Sequence, residues 1–203
     1  NDAISFIQKA IQSNPDNPQY HDSIGSAYTL SNNIDEAIKS FKKALSLNSS
    51  AAKTHYNLAN IYLQKRNFSE AKTHLQTAIE INPNHMQAIY NLSLVFAQEA
   101  QYDKVEALLL KLVNLSPTDI RILYNLANNY SKRGKFQEAL ASFGKALTIK
   151  PDFFEAYFSV GNIYRTLKDS KNAILNYSKA LQLKPDLVEA KNNLAIVHME
   201  IND

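Results

Sequence analysis

The stretch "YNLANIYLQKRNFSEAKTHLQTAIEINP" at residues 56–83 is nearly repeated as "YNLANNYSKRGKFQEALASFGKALTIKP" at residues 124–151. The two copies are 68 residues apart, which is twice 34. A proline recurs every 34 residues from Pro15 to Pro185, except that Ser49 stands at one of these positions. A fixed period of this length is the signature of a repeat architecture. We therefore predict five whole units, at 18–51, 52–85, 86–119, 120–153 and 154–187. Residues 1–17 match the second helix of a truncated unit, and residues 188–203 match the first.

Each unit has the pattern of two helices. In the last whole unit, apolar residues at helical spacing run from Tyr157 to Tyr164 and form one helix face, and a second such stripe begins at Ala173. The proline closes the second helix because it cannot continue the ladder of backbone hydrogen bonds. Asp152 and Asp186, just after two of these prolines, are predicted to cap the next helices. No segment alternates with the period of a strand, so the predicted fold class is all-α, with two antiparallel helices per unit.

Small and large residues recur in register at the same spacing. One small column is Gly25, Ala59, Ser93, Ala127, Gly161 and Ala195, and a second is Ala37, Ala71, Val105, Ala139 and Ala173. A large column consists of Tyr28, Tyr62, Phe96, Tyr130 and Tyr164. With these columns the whole chain resembles the tetratricopeptide repeat (TPR) family. The resemblance implies a right-handed superhelix, an α-solenoid whose first helices line a concave groove and whose second helices lie on the convex side.

Asparagines recur at positions that the family's geometry places on the groove side of the first helices. One column is Asn57, Asn91, Asn125 and Asn193, interrupted by Ser23 and Ser159, and a second is Asn60, Asn128 and Asn162, interrupted by Leu94. We call these two columns the asparagine ladder. A carboxamide both donates and accepts hydrogen bonds, so it can pair with any peptide backbone. The ladder therefore predicts a sequence-tolerant track for an extended polypeptide. The alternative is a mainly structural role, in which these residues are inherited with the family's average sequence or bond the backbone of the neighbouring repeat.

Aromatic and basic side chains accompany the ladder. The adjacent aromatic column is Tyr56, Tyr90, Tyr124 and Phe158, which we expect to cover apolar parts of a ligand. The basic residues expected in the groove are Lys53, Arg121, Lys132 and Arg165, and they are offset by Asp22, Glu155 and Glu189. Four neutral hydrogen bonds at a net ~1 kcal/mol each correspond only to a dissociation constant of about 1 mM. Specific binding therefore requires pockets elsewhere or a tethered partner.

The resemblance also bears on the kind of TPR protein. The carboxylate clamp of chaperone-tail receptors requires basic residues where this chain has Asp22, Tyr56 and Phe158, which argues against that class. The ladder is more similar to the superhelices of O-linked N-acetylglucosamine transferases, which present protein substrates to a separate catalytic domain. We therefore predict a non-catalytic scaffold for protein–protein interaction that binds a polypeptide segment. The alternative is a substrate-recruiting region of a glycosyltransferase or another multidomain enzyme.

Composition excludes several other functions. The 22 Lys+Arg and 19 Asp+Glu residues give a net charge of +3, too balanced for an electrostatic grip on nucleic acid. No apolar run approaches the roughly 20 residues of a membrane span, so no membrane insertion is predicted. Cysteine is absent. The histidines His21, His55, His74 and His85 are expected to have structural roles, so we predict no catalytic residues, no metal and no cofactor.

The third unit departs most from the pattern. Val105 and Leu112 replace alanines, and Leu108 and Leu110 stand where the other units have mostly polar or small residues. Two interpretations are open. Either the local packing compensates, or Leu108 and Leu110 form an exposed convex patch that marks a second contact.

Both ends of the chain lie within a repeat. Arrays of this kind normally end in capping helices with a polar outer face, so we expect the chain to be a segment of a larger protein. The two half-units are complementary, which predicts head-to-tail self-stacking into open assemblies.

Overall fold

The computed structural model describes residues 2–202, in which twelve α-helices follow one another without a strand. Along the chain they are α1 Asp2–Ser13, α2 Pro18–Leu30, α3 Ile34–Leu47, α4 Ala52–Gln64, α5 Phe68–Ile81, α6 Met86–Gln98, α7 Tyr102–Leu115, α8 Ile120–Lys132, α9 Phe136–Ile149, α10 Phe154–Thr166, α11 Ser170–Leu183 and α12 Val188–Asn202. The even-numbered helices are the first members of the repeats and are called A helices, and the odd-numbered ones are called B helices. The all-α prediction is confirmed. Within the described part, no helix has the length and apolar character needed to cross a membrane.

The chain forms two compact parts, each larger than one repeat, Asn1–Glu99 and Ala100–Asp203. They are called the N-terminal unit and the C-terminal unit. In the N-terminal unit, α2 packs closely on α3 and α4 on α5, while α1, α3 and α5 each also contact the A helix that follows. In the C-terminal unit, α8 packs closely on α9 and α10 on α11, while α7, α9 and α11 contact the A helix that follows.

The A helices from α2 to α10 are each followed by a left-handed residue at one fixed repeat position. These residues are Asn32, Arg66, Ala100, Gly134 and Lys168, with φ between 54° and 71°. After α4, the Asn67 amide donates to the Tyr62 carbonyl at 2.8 Å and the Arg66 amide donates to the Leu63 carbonyl at 3.0 Å. This is the Schellman arrangement, which satisfies carbonyls that the helix end leaves unpaired. Only Gly134 adopts the left-handed conformation without a side-chain penalty.

The B helices end just before the repeating proline. Asn82, which precedes Pro83, is extended at φ −126° and ψ 93°, as the residue before a proline must be. The next helix begins later than the sequence suggested. Phe153 occupies the cap of α10 without a side-chain hydrogen bond, and α12 starts at Val188. The predicted caps Asp152 and Asp186 are therefore wrong, because each lies one residue outside the capping position.

The small columns allow the paired helices to approach each other. A Cβ on Gly25 would lie 2.8 Å from the ring of Phe41, and one on Gly161 would lie 2.6 Å from the ring of Tyr177. The alanines of the second column, together with Val105, are buried. In the third repeat, Leu112 is also fully buried, so Val105 and Leu112, which replace alanines there, are both accommodated in the core.

Candidate functional site

In the N-terminal unit, two ladder asparagines bond each other. The Asn91 Nδ2 group on α6 donates to Asn60 Oδ1 on α4 at 2.8 Å, and both side chains are half-buried. The bond joins the A helices of successive repeats. The partner is thus a side chain of the neighbouring repeat and not its backbone. The Asn60 amide nitrogen and the Asn91 carbonyl oxygen take no part in this bond.

The C-terminal unit contains a matching pair with further partners. Asn193 Nδ2 on α12 donates to Asn162 Oδ1 on α10 at 2.9 Å, and the Tyr177 hydroxyl donates to the same oxygen at 2.7 Å. Arg165 Nη1 in turn donates to Asn193 Oδ1 at 3.0 Å. Both lone pairs of the Asn162 oxygen are thus used. Burial raises the pKa of the Tyr177 hydroxyl above its ordinary value, so that hydroxyl stays protonated and donates.

Serine interrupts the same pairing at two places and leaves an asparagine without a partner. Ser26 stands 31 residues before Asn57, and Ser159 stands 31 residues after Asn128, the spacing that separates the bonded pairs. A serine side chain is too short to span between the helices. Within residues 2–202, the side chains of Asn57 and Asn128 form no hydrogen bond, whereas Asn125 is engaged.

A pocket opens beside Asn57 in the N-terminal unit. It has a volume of ≈ 260 Å³ and lies between α2 and α4, lined by Ser26, Thr29, Leu30, Phe41, Asn57 and Asn60. Its walls are mainly apolar, and the Leu30 side chain is 90% exposed. The Ser26 and Thr29 hydroxyls donate to backbone carbonyls of their own helix, so they offer only lone pairs to a ligand. The site therefore combines an apolar wall with free amide groups.

Rings of the predicted aromatic column pack against other rings of the protein. The Tyr56 ring lies 4.8 Å from the His85 ring, and the Phe158 ring lies 6.0 Å from that of Tyr177. Tyr124 contacts two rings of its own unit, and Tyr90 is also engaged. All four column residues remain half-buried, so each still presents an edge to solvent.

The predicted groove cations each have a nearby partner. Lys53 Nζ lies 3.7 Å from Asp22, and Arg165 bonds Asn193 as described above. Arg121 binds Asp119 at 3.0 Å and lowers the pKa of that carboxyl. Lys132 Nζ lies 5.8 Å from the centre of the Tyr102 ring. The four cations therefore do not form an uncompensated basic patch.

Family models recognise the repeats directly. A model of the TPR repeat matches residues 25–66 and 161–202, and a model of the tetratricopeptide repeat matches residues 52–85 and 120–153. Together the matched stretches cover about two thirds of the 203 residues. The chain belongs to the tetratricopeptide repeat family. The predicted TPR solenoid is thereby confirmed as its fold class.

Solved TPR structures show the same fold. YrrB, a TPR protein with an unusual peptide-binding site, is 24% identical, with 92% of this chain and 96% of that chain covered and a TM-score of 0.85. MamA from Desulfovibrio magneticus RS-1 is 19% identical over 85% and 97% of the two chains, with a TM-score of 0.77. The C-terminal part of a TPR repeat-containing protein from Cytophaga hutchinsonii is 19% identical over 100% and 84%, with a TM-score of 0.83. Among curated proteins there is no match. The similarity of the ladder to transferase superhelices stays a prediction from sequence.

The leucines of the third TPR unit lie in different environments. Leu110 is 41% exposed, Leu108 is half-buried, and Leu109 between them is buried in the core. Leu110 therefore offers apolar surface, to which Leu108 adds only part of its side chain. A second contact at this place stays a prediction.

Three of the histidines form specific contacts within the protein. His55 Nε2 lies 3.1 Å from the Ser49 carbonyl, and its Nδ1 lies 2.9 Å from Nδ1 of His74. Because the first contact requires a proton on Nε2, neutral His55 accepts at Nδ1 and His74 donates. His85 Nδ1 accepts from the Ala88 amide at the start of α6. Within the described residues, no group of three or more His, Cys, Asp or Glu side chains is placed to hold a metal ion.

Proposed function

We propose that this TPR chain is a non-catalytic scaffold that binds an extended polypeptide along its A helices, with Asn57 and its pocket as the main contact in the N-terminal unit. The observation that carries the proposal is an unpartnered, half-buried carboxamide at the mouth of a largely apolar pocket of ≈ 260 Å³. The Asn57 carboxamide is accessible and has a free donor and a free acceptor, and a peptide backbone supplies a partner for each. The peptide-binding site of the structurally similar YrrB is in keeping with this function.

The bonded ladder asparagines have a supporting role in this proposal. Asn60–Asn91 and Asn162–Asn193 tie successive A helices together. Each unit offers one free carboxamide for ligand contact, Asn57 in the N-terminal unit and Asn128 in the C-terminal unit. The half-buried rings of Tyr56 and Phe158 cover its apolar parts.

Pocket contacts raise the affinity above that of the ladder alone. Two amide hydrogen bonds contribute a net ~2 kcal/mol, and burying one aliphatic side chain against Leu30 and Phe41 contributes about 1.5–3 kcal/mol. The N-terminal pocket alone thus gives only millimolar binding, because 1 mM corresponds to ~4 kcal/mol. A peptide that also engages the aromatic edges, or a second site, is needed for micromolar binding.

The test uses a substitution that completes the interrupted pair. Ser26→Asn places a carboxamide 31 residues before Asn57, where the bonded pairs have one, and it fills the mouth of the pocket. We expect this variant to be as stable as the wild type or slightly more stable, and to lose peptide binding. Peptides are first selected from a phage-displayed random library on the wild-type chain and then titrated by fluorescence polarisation. Asn57→Ala should weaken them about tenfold, and the exposed Asn114→Ala on α7 is the matched control.

The results distinguish the two interpretations of the ladder. If selection yields no peptide, or if Ser26→Asn binds the selected peptides as well as the wild type does, the ladder is structural and the proposal is wrong. A role as the substrate-recruiting region of a larger enzyme uses the same surface, and it would require that the selected peptides also be substrates of a linked catalytic part. Head-to-tail self-stacking is a separate proposal, tested by whether sedimentation shows open assemblies at high concentration.

A further inference from the structure

The first repeat lacks two rings that pack together in the fourth. In the fourth repeat, the Tyr124 ring lies 5.6 Å from that of Phe143 and 5.0 Å from that of Phe153. A shift of 102 residues, three repeats, places Asp22, Phe41 and Ala51 at the equivalent positions. One ring is thus replaced by a carboxylate and another by a methyl group. The space that the rings would fill is left to another occupant.

A pocket occupies that space. It has a volume of ≈ 440 Å³ and lies among the N-terminal ends of α2 and α4 and the C-terminal end of α3. Gln19, Asp22, Ala44, Asn48, Ala51 and Thr54 are among the residues that line it. Its wall therefore contains methyl groups, amides, a single carboxylate and the side chain of one cation, Lys53.

The carboxylate is only partly compensated by the protein. The Asp22 side chain is 14% exposed, and its Oδ1 accepts from the Thr54 hydroxyl at 2.7 Å. Thr54 is itself buried, at a position where the other repeats have Ala88, Ile122 or other apolar residues. The nearest cation is Lys53 Nζ, 3.7 Å from Oδ2, but its side chain is 77% exposed. An exposed partner of this kind holds a carboxylate only weakly, so a cation of the ligand can displace the Lys53 ammonium from Asp22.

The pocket is continuous with the surface of the proposed function. Asp22 and Ser26 are four residues apart on α2, and Lys53 and Asn57 are four residues apart on α4. Residues at this spacing lie on the same helix face. The larger pocket therefore adjoins the pocket beside Asn57, between the same two A helices.

We propose that this pocket binds an arginine side chain of the polypeptide ligand. A guanidinium is planar like the missing ring, and its two parallel N–H groups fit a carboxylate in bidentate geometry. The Asp22 carboxylate has about four lone-pair sites, of which Thr54 uses one. The aliphatic part of the arginine lies against Ala44 and Ala51. The inference rests on the proposed function and specifies which side chain the ligand presents.

The first experiment uses a small probe and needs no peptide. N-acetyl-arginine amide is titrated into ¹⁵N-labelled chain, and amide shifts of Ala51 and Thr54 are followed by NMR. N-acetyl-citrulline amide, which has the same shape without the charge, is the matched ligand. We expect saturable shifts at the pocket with the arginine probe, and about tenfold weaker binding of citrulline and of Asp22→Asn. Ala51→Phe, which restores the ring found in the fourth repeat, should block the probe without removing the charge.

Two further variants test the competition with Lys53 and the specificity of the probe for this site. Lys53→Gln removes the competing cation and should strengthen binding about two- to threefold. Asp186→Asn, an exposed aspartate far along the sequence, should leave it unchanged. Equal shifts with arginine and citrulline, or unchanged binding by Asp22→Asn, would overturn the inference.

The library of the previous experiment separates this inference from the proposed function. If selected peptides depend on Asn57 but carry no excess of arginine and bind Asp22→Asn normally, the proposed function stands and the arginine pocket is wrong. If no peptide is selected although the arginine probe binds through Asp22, the pocket recognises a guanidinium and the polypeptide function fails. Excess arginine whose contribution disappears in Asp22→Asn supports both.

Discussion

Replacing Gly161 by alanine tests how tightly the helix pair α10 and α11 is packed. The new Cβ would lie 2.6 Å from Cδ1 and 2.7 Å from Cε1 of Tyr177, whereas carbon atoms in contact prefer about 3.5–4.0 Å. The ring must therefore move by about 1 Å. It is held in place by its hydroxyl, which donates to Asn162 Oδ1 at 2.7 Å, and that oxygen also accepts from Asn193. Moving the ring thus strains a bond of the ladder.

The expected loss follows from three contributions. Overpacking a core costs typically ~1–3 kcal/mol, and the lost hydroxyl bond costs about 1 kcal/mol. Alanine regains roughly 1 kcal/mol because glycine is a poor helix former. We expect Gly161→Ala to reduce the free energy of unfolding by about 2 kcal/mol, which lowers the thermal midpoint by about 4–8 °C for a chain of this size. Urea and thermal unfolding followed by circular dichroism measure both quantities.

A second glycine provides the matched control. A Cβ on Gly25 would lie 2.8 Å from the Phe41 ring, but that ring has no hydroxyl to hold it. Ala127 and Phe143 already share one buried cluster in the fourth repeat, which shows that an alanine and an untethered ring can coexist. Gly25→Ala should therefore change the stability by less than about 1 kcal/mol. Equal losses at both glycines, or a Gly161→Ala variant as stable as the wild type, would refute the argument from the tethered ring.

Three further predictions concern turns, titration and charge. Arg66→Gly should raise the urea midpoint by the equivalent of about 0.5–1 kcal/mol, because Arg66 has φ 56°, which penalises a side chain; an unchanged midpoint would contradict this. Burial, and then the neighbouring His55, lower the pKa of His74 below its ordinary value of 6.5. Protonation of His74 thus opposes folding, so stability should fall as the pH drops below about 6.5 and level off once the folded protein is protonated there. His74→Gln should remove that part of the pH dependence of the urea midpoint, and an unaltered profile would show that other groups cause it. Glu106→Gln should lower the free energy of unfolding by about 1–2 kcal/mol, because it removes the carboxylate shared by Arg133 and Lys135 and leaves Arg133 only the exposed Asp103. An unchanged free energy of unfolding in urea would contradict this.

The helices could be predicted from the sequence because period and residue size repeat without an insertion. A stripe of apolar residues needs no tertiary information, and proline marks each B-helix end from its covalent structure alone. The turn after each A helix was less visible. Only Gly134 signals a left-handed residue, yet Asn32, Arg66, Ala100 and Lys168 adopt the same conformation. Helix packing imposes that turn on every repeat, and at most positions it overrides the local preference of the residue.

The pocket around Asp22 could also be predicted in part from the sequence. Asp22 interrupts an aromatic column, and Thr54 interrupts an apolar one, so each is visible as an exception. That the two exceptions bond each other at 2.7 Å required the structure, because they belong to different repeats. The link between His55 and His74 was missed for a related reason. The two histidines lie on the two helices of one repeat, where no column of equivalent positions connects them.

The asparagine ladder shows why columns alone do not describe this surface. Columns at a 34-residue period place equivalent side chains on successive A helices, but the observed bonds join residues 31 apart, Asn60 with Asn91 and Asn162 with Asn193. The difference of three residues is close to one helical turn, so the two A helices of each bonded pair meet one turn out of register. At this spacing the serines are no longer random interruptions of a binding track. They remove one member of a bonded pair and leave Asn57 or Asn128 unsatisfied, so the sites proposed for ligand contact are those where the repeat is least regular.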